Sequence, residues 1–238
     1  MTALTTLIAI LPLAFGIGEG VIMTSDMAIV IVGSLLNSTL LTLLSVPQTT
    51  TKTMLSNKRI ERRYMARVSL VEKENAHPMV KELYEKNIQN SGRVLNLFKV
   101  MGHLPYIGLN FQRMGNSILK GEELSPKLRE LAILRVGFLA RCRYEFTQHT
   151  PIALRAGLRK KQIDELGQWK LSSEFTDEEK AALAYSDEVA VIVQVKDETF
   201  NELRRFLSEH SIVELTATIA YYGMACRILE ALQVDMES

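Results

Sequence analysis

The pattern of apolar and polar positions divides the chain near residue 50. Residues 1–50 carry only two charged side chains, Glu19 and Asp26, and no Lys or Arg. Residues 1–18 and 27–47 are uncharged runs separated by the short polar stretch GEGVIMTSD. Roughly 20 mainly apolar residues suffice for a helix to cross ~30 Å of hydrocarbon. The second run meets that length and the first nearly does. Lys52, Lys58, Arg59, Arg62, Arg63 and Arg67 follow, opposed only by Glu61. Basic residues just after a hydrophobic segment favour the cytoplasmic side. The pattern predicts a transmembrane hairpin over residues 1–48 with both ends cytoplasmic, then a basic linker over 49–65. A cleaved signal peptide fits less well, because the start carries no basic residue.

Beyond the linker, residues 66–238 read as one all-α domain. Helical spacing covers 78–89 and 104–119. Ser125 and Pro126 open the next helix, since Ser is a favoured N-cap and Pro a favoured first residue. That helix, 127–140, is strongly apolar along LAILRVGFLA and is expected at the core. A further helix is expected to run to about Ala156 and stop at Gly157, with Pro151 kinking or breaking it. Thr176 and Glu179 form a capping box, and Ser211 and Glu214 are predicted to form another. Asp197 is predicted to cap the segment between them. VIVQV at 191–195 continues a helical pattern and reads as a helix end.

Composition adds exclusions. The formal net charge of the 238 residues is +1, so no global charge argues for nucleic acid as a partner. Two distant cysteines make neither a disulfide framework nor a zinc pattern, and a reducing compartment is the simplest inference. There are no Gly-rich phosphate loops.

The chemistry concentrates in LRELAILRVGFLARCRYEFTQHTPIALRAGL. Cys142, Glu145 and His149 stand at i, i+3 and i+7, within about 60° of one another around a helix, and Glu130 lies on the helix before. Glu145 and His149 are an i, i+4 pair. A carboxylate beside an imidazole orients it and favours its protonated form, which suits His149 to general acid or base work. Imidazolium favours thiolate at Cys142, whereas Glu145 opposes it. The same residues can equally form a satisfied polar seam, and a cysteine on a helix is commonly a small buried hydrophobe. One His, two carboxylates and a thiol at this spacing fit no closed zinc site. The stretch from Glu130-Leu131 to Cys142 is echoed, at equal spacing, from Glu214-Leu215 to Cys226.

MTALTTLIAILPLAFGIGEG followed by MAIVIVGSLLNSTLLTLLSVP resembles the last two membrane helices of resistance–nodulation–division efflux transporters, over about residues 1–48. That family's proton-relay carboxylates and porter domains have no counterpart here, and a lone hairpin forms no alternating-access pathway. Met65 onward, MARVSLVE, reads like the start of a soluble protein, and Glu61-Arg62-Arg63 can be encoded by a purine-rich ribosome-binding sequence. Residues 1–64 are therefore expected to be the tail of an upstream transporter gene read in frame, with a genuine membrane anchor as the alternative. The location follows: membrane with a cytoplasmic C-terminal domain if the whole chain is made, cytoplasmic if translation starts at Met65.

RELAILRVGFLARCRYEFTQHTPIALRAGL, with ARVSLVEKENAHPMVKELYEK and GRVLNLFKVMGHLPYI before it and IVELTATIAYYGMACRILEALQV after it, resembles the carboxymuconolactone decarboxylase family. That family includes the alkylhydroperoxidase D-type proteins. The resemblance spans about 66–235 and implies an all-α fold assembled as homo-trimers or hexamers around a helical pocket. The peroxidase-type pattern is Glu, eleven residues, Cys-x-x-Cys, three residues, His. Glu130, Cys142 and His149 match it, but Glu145 stands where the peroxide-attacking thiol belongs, so a CxxC cycle is impossible at this site. Cys226 would substitute only if the fold brings it close. Tyr144-Glu145-Phe146 stands closer to the YEW element of decarboxylase-like branches. The resemblance implies a cofactor-free enzyme acting on a small carboxylated or lactone substrate. In it His149 shuttles the proton, Glu145 orients it and Glu130 assists. Arg135, Tyr144 and His103 are the candidates for substrate binding. One alternative is a thiol-dependent peroxidase using Cys142 alone, recycled by an external thiol. Another is a non-catalytic helical oligomer.

Overall fold

Ser125 and Pro126 start the helix around which the others are arranged. The computed structural model describes residues 66–237. Its helices are α1 (Pro78–Ser91), α2 (Asn96–Met101), α3 (Pro105–Lys120), α4 (Pro126–Leu139), α5 (Arg143–Arg155), α6 (Lys160–Glu165), α7 (Asp177–Val191), α8 (Asp197–Leu203) and α9 (Glu209–Leu232). Short 3-10 turns lie at Lys73–Asn75 and Leu166–Leu171. No strand occurs among the described residues, in line with the all-α expectation. The hairpin expected over 1–48 and the linker over 49–65 lie outside the described residues.

Ser125 Oγ accepts the Leu128 N–H at 3.2 Å, as its N-cap position predicts. Every residue from Leu128 to Gly137 is buried, including Arg129, Glu130 and Arg135. A helix enclosed on all sides lies at the centre of a fold, and α4 packs against α5, α7 and α9. Leu131, Ile133 and Leu134 are at most 1 % exposed, each contributing roughly 1.5–3 kcal/mol through burial.

The α4–α5 turn sets the register of the site. Arg141 adopts φ +55°, and the Cys142 N–H donates to Gly137 O at 2.8 Å. This six-to-one bond closes α4 as a Schellman motif. Cys142 is consequently the N-cap of α5 and not a residue on it. That corrects the expectation that Cys142, Glu145 and His149 share one helical face: the left-handed turn ends the helix first. The predicted break at Pro151 is also absent, and α5 runs through it to Arg155. Pro151 is exposed, while Glu145, His149 and Ala153 form a buried side against α4 and α9. Packing on that side holds the helix despite the missing donor. Gly157, at φ +101°, then ends it as predicted.

Capping corrects two further boundaries. The Thr176–Glu179 box is present. The α9 N-cap is Ser208, whose side chain accepts from Ser211 N at 3.1 Å, so Ser211 lies inside the helix. Glu214 is diverted from its predicted box. Its carboxylate accepts the N–H groups of Glu122, Glu123 and Leu124 at 2.8, 3.0 and 2.8 Å, fastening the loop before α4 to α9. Burial opposes the charge, but these donors hold the Glu214 carboxyl below its ordinary range. Asp197 is the first residue of α8, behind the N-cap Lys196. Val193 turns left-handed at φ +72° after α7, so 191–195 is a helix end.

Candidate active site

Glu130 on α4 and His149 on α5 meet where the two helices pack. Glu130 Oε2 lies 2.8 Å from His149 Nδ1. On the other edge of the ring, His149 Nε2 lies 3.5 Å from Glu145 Oε2, one turn earlier on α5. The three are buried, with exposures of 1 % for Glu130, 5 % for Glu145 and 6 % for His149. An imidazole is thus held between two carboxyl groups. The closer partner is Glu130, whereas the local i, i+4 spacing singled out Glu145.

The two carboxyl groups differ in environment. Burial, above all, raises the Glu145 pKa; His149 pulls it down, and the charges of Glu130 and Glu237 push it up again. Burial thus works against the charged form of Glu145, while Glu130 engages the Nδ1 edge of the ring. With Nδ1 engaged by Glu130, Nε2 is the nitrogen left to exchange a proton.

Aromatic rings close the site on the α9 side. Tyr222 sets its ring edge-on to His149, with centroids 4.8 Å apart at 84°. Tyr221 packs against Tyr222 at 5.2 Å and stacks on Phe111 at 4.7 Å. Phe111 borders an apolar groove of about 640 Å³, also lined by Val68, Leu104, Ile107 and Met224. The groove touches none of the three buried groups; the Phe111–Tyr221–Tyr222 column separates it from His149. Gly115 makes room for this column, because a Cβ there would fall 2.4 Å from the Tyr221 hydroxyl.

The remaining sequence candidates are distributed differently. Cys142 is 1 % exposed, as is Cys226 of α9, and both are free. Arg135 has internal partners: Nε lies 2.5 Å from Asp187 Oδ1, and Nη1 donates to Leu166 O at 2.8 Å. Trp169 Nε1 joins the same aspartate at 3.2 Å, so Arg135 ties α4 to α7 and the Leu166–Leu171 turn. Tyr144 is buried, with its hydroxyl donating to the Glu237 carboxylate and accepting from Leu97 N at 3.4 Å. Burial and Glu237 push its pKa above the ordinary phenol range. His103 is exposed, with Nε2 2.8 Å from Ser69 O, and borders the apolar groove. Among the described residues, no group of three or more His, Cys, Asp or Glu is arranged to hold a metal ion.

Two participants carried no usable signal in the sequence. Glu237, near the chain end, accepts from Asn96 N at 2.7 Å and Gln148 Nε2 at 2.6 Å as well as from Tyr144. It fastens the tail across α2 and α5 and adds negative charge beside Glu145. Tyr222 lies in the apolar run IAYYGMAC and reads as core until the packing of α9 on α5 is known.

Comparison with known proteins finds relatives in sequence and in fold. Residues 105–188, which include Glu130, Cys142, Glu145 and His149, match the model of the carboxymuconolactone decarboxylase family. The uncharacterized protein YnjA of Escherichia coli (strain K12) is 28 % identical over 153 residues, covering 61 % of this chain and 81 % of YnjA. The debrominase Bmp8 superposes with a TM-score of 0.62 at 23 % identity, covering 72 % of this chain and 92 % of Bmp8. A peroxidase-related protein from Ralstonia eutropha JMP134 with an alkylhydroperoxidase AhpD core superposes with a TM-score of 0.65 at 16 % identity, over 73 % and 93 % of the two chains. The described domain shares the fold of these two solved structures.

Proposed function

We propose that this chain is an enzyme that moves a proton on a small organic substrate through His149, without a bound cofactor. The observation that carries the reading is the buried imidazole held at 2.8 Å by Glu130 on one nitrogen, with Glu145 at 3.5 Å on the other. Glu130 fixes the ring and stabilises the imidazolium that forms when Nε2 takes a proton. Glu145, whose pKa burial raises, supplies or receives the second proton. Such a pair suits enolisation, lactone opening or decarboxylation, in which a proton leaves one atom and returns to another. A small lactone or carboxylated substrate is the class the site suits.

The substrate route follows from the aromatic column. The apolar groove ends at Phe111, and Tyr221 and Tyr222 stand between it and His149. Rotation of Tyr221 and Tyr222 together opens the groove onto Nε2 in this reading. The exposed apolar side chains Leu104, Ile107, Met114 and Met224 border the same groove and support assembly as a homo-trimer or hexamer. Light scattering of the purified chain measures that directly.

The test is a turnover screen of small lactones, carboxylated lactones and hydroperoxides with four proteins: the parent chain, His149→Gln, Glu130→Gln and Cys142→Ser. Turnover is expected to fall at least about 100-fold in His149→Gln, the usual contribution of a general acid–base group, and to persist in Cys142→Ser. Loss in Cys142→Ser with full activity in His149→Gln would overturn the proposal. Absence of turnover throughout would favour a non-catalytic oligomer.

A further inference from the structure

The segment that follows α9 runs back to α2 and α5 and brings a carboxylate to three donors. Gln233 turns left-handed at φ +51°, and Val234 is then buried. Asn96 Nδ2 donates to Asp235 O at 3.0 Å, and Met236 packs against the core. Glu237 Oε1 accepts from Asn96 N at 2.7 Å and from the Tyr144 hydroxyl, and Oε2 accepts from Gln148 Nε2 at 2.6 Å. The donors are themselves fixed. Asn96 and Tyr144 are buried. Leu97 N donates to the Tyr144 hydroxyl at 3.4 Å, which leaves the phenol proton for Glu237. Arg93 Nη2 holds the Gln148 amide oxygen at 3.4 Å, which turns the amide nitrogen towards the carboxylate. Both oxygens of one carboxylate are thus met by donors whose orientation other residues set, as a carboxylate receptor requires.

The cradle adjoins the proton-transfer site. On α5, Tyr144 immediately precedes Glu145 and Gln148 immediately precedes His149. Burial is the main cause of the raised Glu145 pKa, and the Glu237 charge adds to it. Like charges so placed repel, so the donors hold Glu237 against an opposing charge. Little has to move for the cradle to empty: Val234 stays buried, while Asp235 is exposed and Met236 and Glu237 are half-buried. We propose that this cradle is a carboxylate-binding subsite of the active site, which the chain's own Glu237 occupies in competition with a carboxylate-bearing ligand, so that release of residues 235–237 opens it. The ligand's part in catalysis rests on the proton-transfer reading; the exchange of one carboxylate for another does not. A ligand carboxylate gains the same three hydrogen bonds. A neutral ligand gains bonds of roughly half the strength and does not dislodge the charged side chain.

The experiment titrates the full chain calorimetrically with acetate and with its neutral counterpart acetamide at constant ionic strength. The proteins are the parent, Glu237→Ala, Glu237→Gln and the double variant Glu237→Ala, Tyr144→Phe. Glu237→Ala removes Cγ and the carboxylate, the atoms that acetate supplies. Acetate is expected to bind Glu237→Ala at least about 10-fold more tightly than the parent, and to lose at least about 10-fold when Tyr144→Phe is added, the worth of one hydrogen bond to a charged group. Acetamide is expected to bind none of them measurably. Glu237→Gln keeps the side-chain shape and decides the question if Glu237→Ala folds poorly; acetate should bind it more tightly than the parent. Equal acetate affinity in the parent and the Glu237 variants, or acetamide binding equal to that of acetate, would overturn the proposal. For a carboxylated lactone that the parent turns over, KM should fall in Glu237→Gln while KM for a neutral lactone holds. Equal changes in both would show that the cradle is no subsite of the ligand. Absence of turnover in every protein would count against the proton-transfer reading, and the acetate titration would still decide the cradle.

Discussion

Removing Glu130 and His149 singly and together tests whether they act as one buried unit. Glu130→Ala removes the acceptor 2.8 Å from His149 Nδ1 and leaves a donor on a ring only 6 % exposed. An orphaned buried donor costs about 1–3 kcal/mol, and the lost side-chain volume adds to it, so roughly 3 kcal/mol is expected. His149→Ala leaves the Glu130 carboxylate, itself 1 % exposed, without its partner, which costs about 3–5 kcal/mol. In the double variant neither orphan exists and only the cavity remains, so the cost should be about 4 kcal/mol instead of the roughly 7 kcal/mol of the sum. The coupling is then about 3 kcal/mol, well above the ~0.5 kcal/mol scatter of independent sites. Urea unfolding followed through Trp169, the single tryptophan and a buried one, measures all four proteins. Costs that add within ~0.5 kcal/mol would show that the pair is not coupled and refute the reasoning.

Other outcomes follow from the same structure. Folding takes up a proton at Glu145 because burial raises its pKa, so its contribution to stability is present at low pH and declines as pH rises above the ordinary carboxylate range. Glu145→Gln should therefore gain stability over the parent as pH rises above the ordinary carboxylate range in urea titrations; parallel profiles would contradict the raised pKa. Gly115→Ala places a methyl 2.4 Å from the Tyr221 hydroxyl and should cost about 1–3 kcal/mol by overpacking, with larger effects on turnover if the aromatic column guides substrate. An unchanged melting temperature would show that the column yields freely. Arg141→Gly relieves a left-handed residue at φ +55° and should raise stability by about 0.5–1 kcal/mol after the entropy of glycine is counted, read as a shift of roughly 1–4 °C in Tm.

The helices were legible in the sequence because their signals are local. The Ser125–Pro126 start, the Thr176–Glu179 box and the Gly157 stop each depend on a few adjacent residues. What escaped depends on partners elsewhere in the chain. Glu214 fits a capping box until the loop at 122–124 claims its carboxylate. Glu145 fits as the partner of His149 by spacing, yet Glu130 is nearer because α4 and α5 pack face to face. The equal spacing of Glu130–Cys142 and Glu214–Cys226 does not become a structural repeat. After Glu130 the chain turns at Arg141 and places Cys142 outside α4, whereas α9 continues unbroken through Cys226. Of the candidate site, Glu130, Cys142, Glu145 and His149 were identifiable by residue type and spacing. Tyr222 and Glu237 join them only through the packing of α9 and the tail.

The central claim is that Nε2 of His149, held by Glu130, moves protons on a small organic molecule. Its most direct test is hydrogen–deuterium exchange at the acidic carbon positions of a panel of small lactones and carboxylated lactones in D2O, followed by proton NMR. The parent chain should accelerate exchange into at least one of them, His149→Gln should abolish the acceleration, and Cys142→Ser should preserve it. Exchange that proceeds undiminished in His149→Gln would contradict the account.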